Sequence, residues 1–303
     1  MQKKTEKLAG YIFLVFGCIA VVSVLAITIF MFWKGTPALF EVGVPELLFG
    51  TVWKPSADQP SYGIFYIILS SIVGTFGSVL LGVPIGILTA VFLTDFTDGS
   101  KMGRATSKVI SSAVELLAAI PSVIYGLIGM MILNPFMYKM EKKIFAGSTE
   151  HQFTGGANLL SAIIVLAIMI LPTVINISAS SIRAVPGSLR SASLALGASK
   201  IQTIFKVVLP AARSGIMTGV VLGIGRAIGE AMAINMVAGG AVNIPLPFNS
   251  VRFLTTQLVS EMGYSSGLHR RVLFTVGLVL YIFIVVINLF LTHMKKKGER
   301  AYD

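Results

Sequence analysis

In the stretch GIGRAIGEAMAI, residues 223–234, an arginine and a glutamate stand four positions apart inside an otherwise apolar run. Either charge alone at the middle of a bilayer costs roughly 2.5–3.5 kcal/mol on insertion scales, so something must offset that cost or use it. Positions i and i+4 share a helix face, and the spacing predicts that Arg226 and Glu230 pair. Two readings follow. In one, the pair is a neutral salt bridge that lets its helix sit inside a bundle. In the other, Arg226 offers its planar fork to an oxyanion, and Glu230, acceptor-only when ionised, takes a hydrogen bond from it. Ionisable residues inside a membrane are functional candidates by default, which favours the second. Asn235, about one turn beyond Glu230, is placed on the same path.

The elements that must hold these side chains follow from composition. The chain has 303 residues, 55% of them hydrophobic and only 12% charged, with a mean hydropathy of +0.85. Soluble domains carry about 25% charged residues. A spanning helix needs about 20 mostly apolar residues, and six such runs, near 8–33, 63–94, 109–133, 158–178, 216–238 and 272–292, use nearly all the apolar sequence. The expected fold is an all-α, polytopic membrane bundle of six transmembrane helices.

Lys3, Lys4 and Lys7 precede the first run as they would in a signal peptide, but the run is uncharged as far as Lys34. That is longer than the roughly 7–15 residues of a signal core, so it reads as a retained helix. Cys18 is the one cysteine, which excludes a disulfide framework and a thiolate metal site. His151, His269 and His293 are too scattered for a metal cluster, and neither metal nor cofactor is expected. With six spans both termini share a side. Lys and Arg gather at the termini and in the second and fourth loops, which places that side in the cytoplasm; Arg252, Arg270 and Arg271 run against the bias. The net charge of +11 suits a surface facing anionic membrane lipid. No charged tail of the nucleic-acid-binding kind is present, so no nucleic-acid partner is expected.

No low-complexity linker divides the chain. Residues 1–60, a first helix with a proline-containing outer loop, read as an extension of a core at 61–294, and 295–303 as a basic tail. Pro84 and Pro121 lie inside apolar runs and should kink them. Gly82 and Gly86, and Gly215, Gly219, Gly223, Gly225 and Gly229, make small-residue faces of the sort that lets helices approach closely in lipid. The fifth span is therefore expected at the centre of the bundle. Glu115, near the cytoplasmic end of the third span, reads as a structural residue that snorkels or pairs.

The fourth loop, near 183–213, is patterned rather than random. Leu189, Ala192 and Leu196 recur on one helical face, and Ile201, Ile204, Phe205 and Val208 on another. Gly197 between them suits a left-handed helix C-cap, and Pro210 is expected to end the second helix. Such a hairpin, projecting apolar and basic residues, is built to dock into something.

The segment SASLALGASKIQTIFKVVLP, residues 191–210, resembles the coupling loop of ABC-importer permeases, whose pattern is E-A-A-x3-G-x9-I-x-L-P. Ala192, Gly197, Leu209 and Pro210 match in register and Val207 stands in for the isoleucine, while Ser191 and Ser193 replace the glutamate and second alanine. The segments GVPIGILTAVFLTDF, ELLAAIPSVIYGLIG, LPTVINISASSIRAVPGSLR and GRAIGEAMAI resemble in particular the phosphate-importer permeases of the PstC type. The resemblance runs from about residue 61 to 291 and implies a type I ABC-importer permease fold.

It also implies that the chain is half of a pore in the cell's inner, cytoplasmic membrane. Its implied partners are a PstA-like second permease, two PstB-like ATPase subunits and a periplasmic or extracellular phosphate-binding protein. Ser191, Ala192, Ser193, Gly197, Ala198, Leu209 and Pro210 would form the ATPase contact. With phosphate as cargo, Glu230 would accept the proton that phosphate keeps near neutral pH and sulfate lacks. The chain contains no Gly-x4-Gly-Lys-Ser/Thr phosphate loop and no recognisable nucleophile–base pair, so the hydrolysis of ATP would fall to a partner. The rival readings are a permease for another oxyanion such as sulfate or molybdate, an ion-gradient-driven carrier or channel, and a membrane scaffold that moves nothing. A carrier has no need of the docking hairpin.

Overall fold

In lipid a backbone without water must satisfy its own hydrogen bonds, and a long apolar run does so as a helix. The computed structural model, which describes residues 2–97, 101–149 and 151–299, is accordingly helical almost throughout. Helix α1 (Gln2–Gly35) leads into two short helices, α2 (Pro37–Val42) and α3 (Val44–Phe49). A two-residue ribbon of β1 (Trp53–Lys54) and β2 (Ser61–Tyr62) follows, antiparallel, with Trp53 opposite Tyr62. Next come α4 (Phe65–Val91), ending in a π turn at Phe92–Phe96, and α5 (Lys101–Ala119). Helices α6 (Ser122–Ile128) and α7 (Asn134–Ile144) join through another π turn, and α8 (Leu159–Arg183) crosses back.

The chain then makes a hairpin of α9 (Gly187–Ala195), α10 (Lys200–Thr203) and α11 (Leu209–Ala211), and enters α12 (Arg213–Gly229). Two short helices, α13 (Met232–Val237) and α14 (Leu254–Glu261), precede the last, α15 (Gly267–Glu299). Five helical stretches among the described residues are long and apolar enough to cross a membrane, at Ala9–Val42, Phe65–Phe96, Ser122–Ile144, Leu159–Arg183 and Gly267–His293. The pair Lys200–Ala211 and Arg213–Gly229, bent by 70°, makes up to six.

Three expectations need correction. The third span does not run over 109–133: Pro121 sits at φ −59°, ψ 144° and ends the helical path. Its ring removes a donor and pushes Ile120 out of helical geometry, so α5 stands apart and the span begins at Ser122. Glu115 therefore lies exposed on α5 rather than inside a span. The fifth span is likewise not continuous over 216–238, for α12 stops at Gly229. Pro210 does not end its helix either; the bend comes at Ala212, beyond α11. The proline has no N–H for the Lys206 carbonyl, and the chain before it winds as a π turn over Ile204–Val208. Pro84, by contrast, is carried within α4. Of the basic tail at 295–303, residues 300–303 lie outside the described residues.

The centre of the bundle is α8, not the glycine-rich α12. Helices α4 and α12 pack on two sides of it, and Val174 and Ile170 are shared contacts. A Cβ built on Gly86 would lie 2.7 Å from Val174 Cγ1, and one on Gly223 3.1 Å from Val174 Cγ2. Larger residues would push either helix away, which costs packing where lipid offers no hydrophobic drive to compensate. Gly225 and Gly229 have nothing within 4 Å at the Cβ position. One face of α12 is thus clamped, while Gly225, Arg226 and Gly229 near its C-terminal end are exposed. The enclosed core combines Leu166, Met169 and Ile170 of α8 with Ile234 and Val237 of α13 and Phe253 before α14.

Candidate functional site

The break after Gly229 decides the geometry of the two charges. Glu230 adopts φ −75°, ψ 130°, an extended conformation that closes α12. Its Oε1 accepts the backbone N–H of Ala233 at 3.0 Å, so the carboxylate caps the start of α13. Its carbonyl accepts the Thr255 hydroxyl at 2.7 Å, which ties the break to α14. The expected pairing required an unbroken helix, and it is not made: among the described residues Arg226 and Glu230 form no ion pair. Arg226 is exposed near the C-terminal end of α12. Asn235 is exposed one turn into α13, its Oδ1 accepting the Ser260 hydroxyl at 2.9 Å. Arg226, the half-buried Glu230 and Asn235 thus follow one another along α12 and α13, and among the described residues Arg226 forms no ion pair.

The hairpin is locally determined. Gly197 takes φ +84°, as expected of a left-handed cap. Its N–H donates to Leu194 O at 3.0 Å and that of Ala198 to Ser193 O at 3.2 Å, the paired bonds of a Schellman motif. Ser199 then opens α10 with a reciprocal capping box to Gln202, and the Ser193 and Thr203 hydroxyls join the two arms at 2.9 Å. Ser191, where the family pattern has glutamate, donates its hydroxyl to Gly187 O at 3.2 Å. Ala192 is exposed, its carbonyl taken by Leu196 N. Leu209 and Pro210 are half-buried where α11 turns toward α12.

One reading of the hairpin changes. Ile201, Ile204, Phe205 and Val208 do not share a face. The π turn rotates Ile204 and Val208 inward against Ile182, Val185 and Ala212, and leaves Ile201 and Phe205 exposed beside Leu189, Leu194 and Leu196. Leu196, 90% exposed at the tip, is the most prominent.

Sequence reasoning missed what anchors this hairpin. Asp95, buried in the π turn ending α4, forms an ion pair with Arg190 on α9. Thr94 donates its hydroxyl to the other carboxylate oxygen at 2.8 Å, and Arg190 Nη2 donates to Ile182 O at 3.1 Å. The signal was present, since Asp95 is the one acidic residue of the segment GVPIGILTAVFLTDF. The scattered histidines also have definite partners. His269 Nε2 lies 2.8 Å from Glu261 Oε2, placed to donate to it, and that buried carboxylate also accepts from Trp53 Nε1 at 3.1 Å and Arg252 Nη1 at 2.5 Å. His151 stacks on Phe145 at 3.8 Å and meets the fully buried Glu141 at 2.8 Å. Near the first cluster, burial and, secondarily, Glu41 hold the Tyr62 phenol above its ordinary pKa.

Comparison with known proteins fits this arrangement. A "Probable ABC transporter permease protein YqgH" of Bacillus subtilis is 39% identical, covering 89% of this chain and 85% of that one. A "Phosphate transport system permease protein PstC" of Pasteurella multocida is 31% identical, covering 82% and 80%. The crystal structure of a bacterial ABC transporter importing the acidic polysaccharide alginate shares the fold, with a TM-score of 0.59, 15% identity and coverage of 93% and 95%. So does the inward-facing MetNI methionine ABC transporter, at 0.57, 23% identity and coverage of 77% and 94%. The family model for the binding-protein-dependent transport system inner membrane component matches residues 82–298. The chain belongs to that family: it is an ABC-importer permease of the type I fold.

Proposed function

We propose that this permease translocates inorganic phosphate through a pore it shares with a PstA-like second permease. Two PstB-like ATPase subunits, one of them docked on this chain's hairpin, would supply the energy, and an external phosphate-binding protein the cargo. The observation that carries the reading is the physical continuity of two surfaces. A hairpin with exposed Leu196, Ile201 and Phe205 turns through 70° into the helix that presents Arg226, which has no ion pair among the described residues. Movement of a docked ATPase is passed to α12 through Ala212 and to α4 through the Arg190–Asp95 pair.

At the break, Arg226 donates to the oxyanion, and an arginine inside a span that lacks a partner calls for an anion or water. Glu230 spends Oε1 on Ala233 N and keeps Oε2 to accept the proton of a phosphate oxygen. Sulfate brings no such proton. The phosphate transport named for relatives such as that of Pasteurella multocida supports the choice of cargo. The Lys and Arg distribution supports placing both termini and the hairpin in the cytoplasm.

Uptake of labelled phosphate in cells lacking this chain, complemented by it, tests the assignment. Uptake should return and resist excess sulfate or molybdate; competition by either would move the reading to another oxyanion. Arg226→Gln should lower uptake by about 10- to 100-fold, the worth of a hydrogen bond to a charged group, while the ATPase still co-purifies. Orientation is tested separately by cysteines at Ser199 and Ser56 in a Cys18→Ser background. An impermeant reagent on intact cells should label position 56 and spare 199.

A further inference from the structure

Arg270 and Arg271 run against the charge asymmetry of the chain, and the structure gives them a common destination. They stand in the first turn of α15, where α1 ends, on the face opposite the termini. With Lys34 from the last turn of α1 they line a cleft of about 500 Å³, whose other walls are Trp33, Pro37, Gly267 and Phe274. Arg271 is held by Glu41, its Nη2 donating to the two carboxylate oxygens at 2.7 and 2.8 Å. Among the described residues, Arg270 and Lys34 form no ion pair. The ammonium of Lys34 rests 5.4 Å from the Trp33 ring. Of the three cations lining the cleft, only Arg271 has a carboxylate partner among the described residues.

The depth of the cleft names the class of anion. It lies where two spans leave the hydrocarbon, the level at which tryptophan and phospholipid headgroups sit. Trp33 is 72% exposed there. Below it Phe30 meets Phe274 edge-on at 5.9 Å, and α1 presents exposed apolar side chains along its length. We propose that this cleft binds the phosphate of an anionic phospholipid headgroup, with the acyl chains lying along α1. A free phosphate ion would meet the same cations but leave the aromatic wall and the apolar flank unused. A zwitterionic headgroup would bring its own cation against Arg270 and Lys34.

The full chain in phosphatidylcholine bilayers tests this through Trp33, whose emission is obtained by subtracting that of Trp33→Phe. Tail-brominated phosphatidylglycerol should quench Trp33 more strongly than the same fraction of brominated phosphatidylcholine. The preference should fall by about fivefold for each charge removed in Lys34→Gln and Arg270→Gln, and survive in Arg270→Lys. Excess inorganic phosphate should leave the quenching unchanged. Equal quenching by the two lipids in the unaltered protein overturns the site whatever the variants do. A preference that persists in the doubly neutralised protein overturns its location, and relief by inorganic phosphate overturns the lipid assignment.

Discussion

The hairpin at Gly187–Ala211 and the break at Glu230 both interrupt a helical path next to a glycine, yet they are made by opposite means. At Gly197 the glycine itself turns the chain, at φ +84° and with nothing within 4 Å of a Cβ position. The partners that stabilise the turn lie within a few residues: Leu194, Ser193, Ser199 and Gln202. At the break, Gly229 stays helical and Glu230 extends. One of the stabilising partners there, Thr255, comes from another helix 25 positions away. A turn held by its own neighbours is a stiff unit that can be pushed as a body. A break held by a distant side chain moves only when the packing around it moves. On the function proposed above, the first would serve the docking surface and the second the path.

The largest effect should come from the anchor that joins the hairpin to the bundle. Asp95→Asn leaves the partly exposed Arg190 without its counter-charge, and the loss of a hydrogen bond between charged groups costs about 1.5–3 kcal/mol. The thermal midpoint of the purified chain should fall clearly and the ATPase should be lost with it. Replacing both residues by apolar ones should recover most of the stability without the coupling.

Within the hairpin, Gly197→Val should cost about 1–2 kcal/mol, the price of a left-handed conformation for a residue with a side chain. The open space around it means that nothing else is lost, so Gly197→Asn should be nearly neutral. Both are checked by ATPase co-purification and by uptake. Normal docking in the valine variant would show that the turn is not the docking element.

At the break, Glu230→Ala should cost about 1 kcal/mol as a lost cap and impair uptake. Glu230→Gln keeps an acceptor for Ala233 N, so its stability should match the wild type while uptake still drops. Equal uptake in the glutamine variant would reduce Glu230 to a cap.

Thr255→Val should have the smallest effect, about 0.5–1 kcal/mol for one hydrogen bond. It should raise amide exchange at Glu230 and Ala231 and leave exchange at Gly197 unchanged. Parallel changes at both sites would mean that the break and the hairpin are one unit, which erases the contrast.

The sequence by itself determined what depends on near neighbours and on the solvent. Four of the six apolar runs became spans close to the expected bounds, Gly197 became a left-handed cap between two short helices, and the small residues at 82, 86, 215, 219 and 223 became helix contacts. These follow from periodicity, backbone sterics and the absence of water, all of which act over a few residues. Tertiary structure alone decided that Glu230 caps α13 instead of pairing with Arg226, that Arg190 reaches Asp95, and that Glu261 gathers Trp53, Arg252 and His269. The i, i+4 rule holds only while the backbone stays helical, and Thr255, with the buried packing of Ile234 and Val237, takes hold of the chain where it departs. A charge in a bundle takes whichever partner the fold brings within hydrogen-bond reach, and that distance is not written in the spacing of the residues.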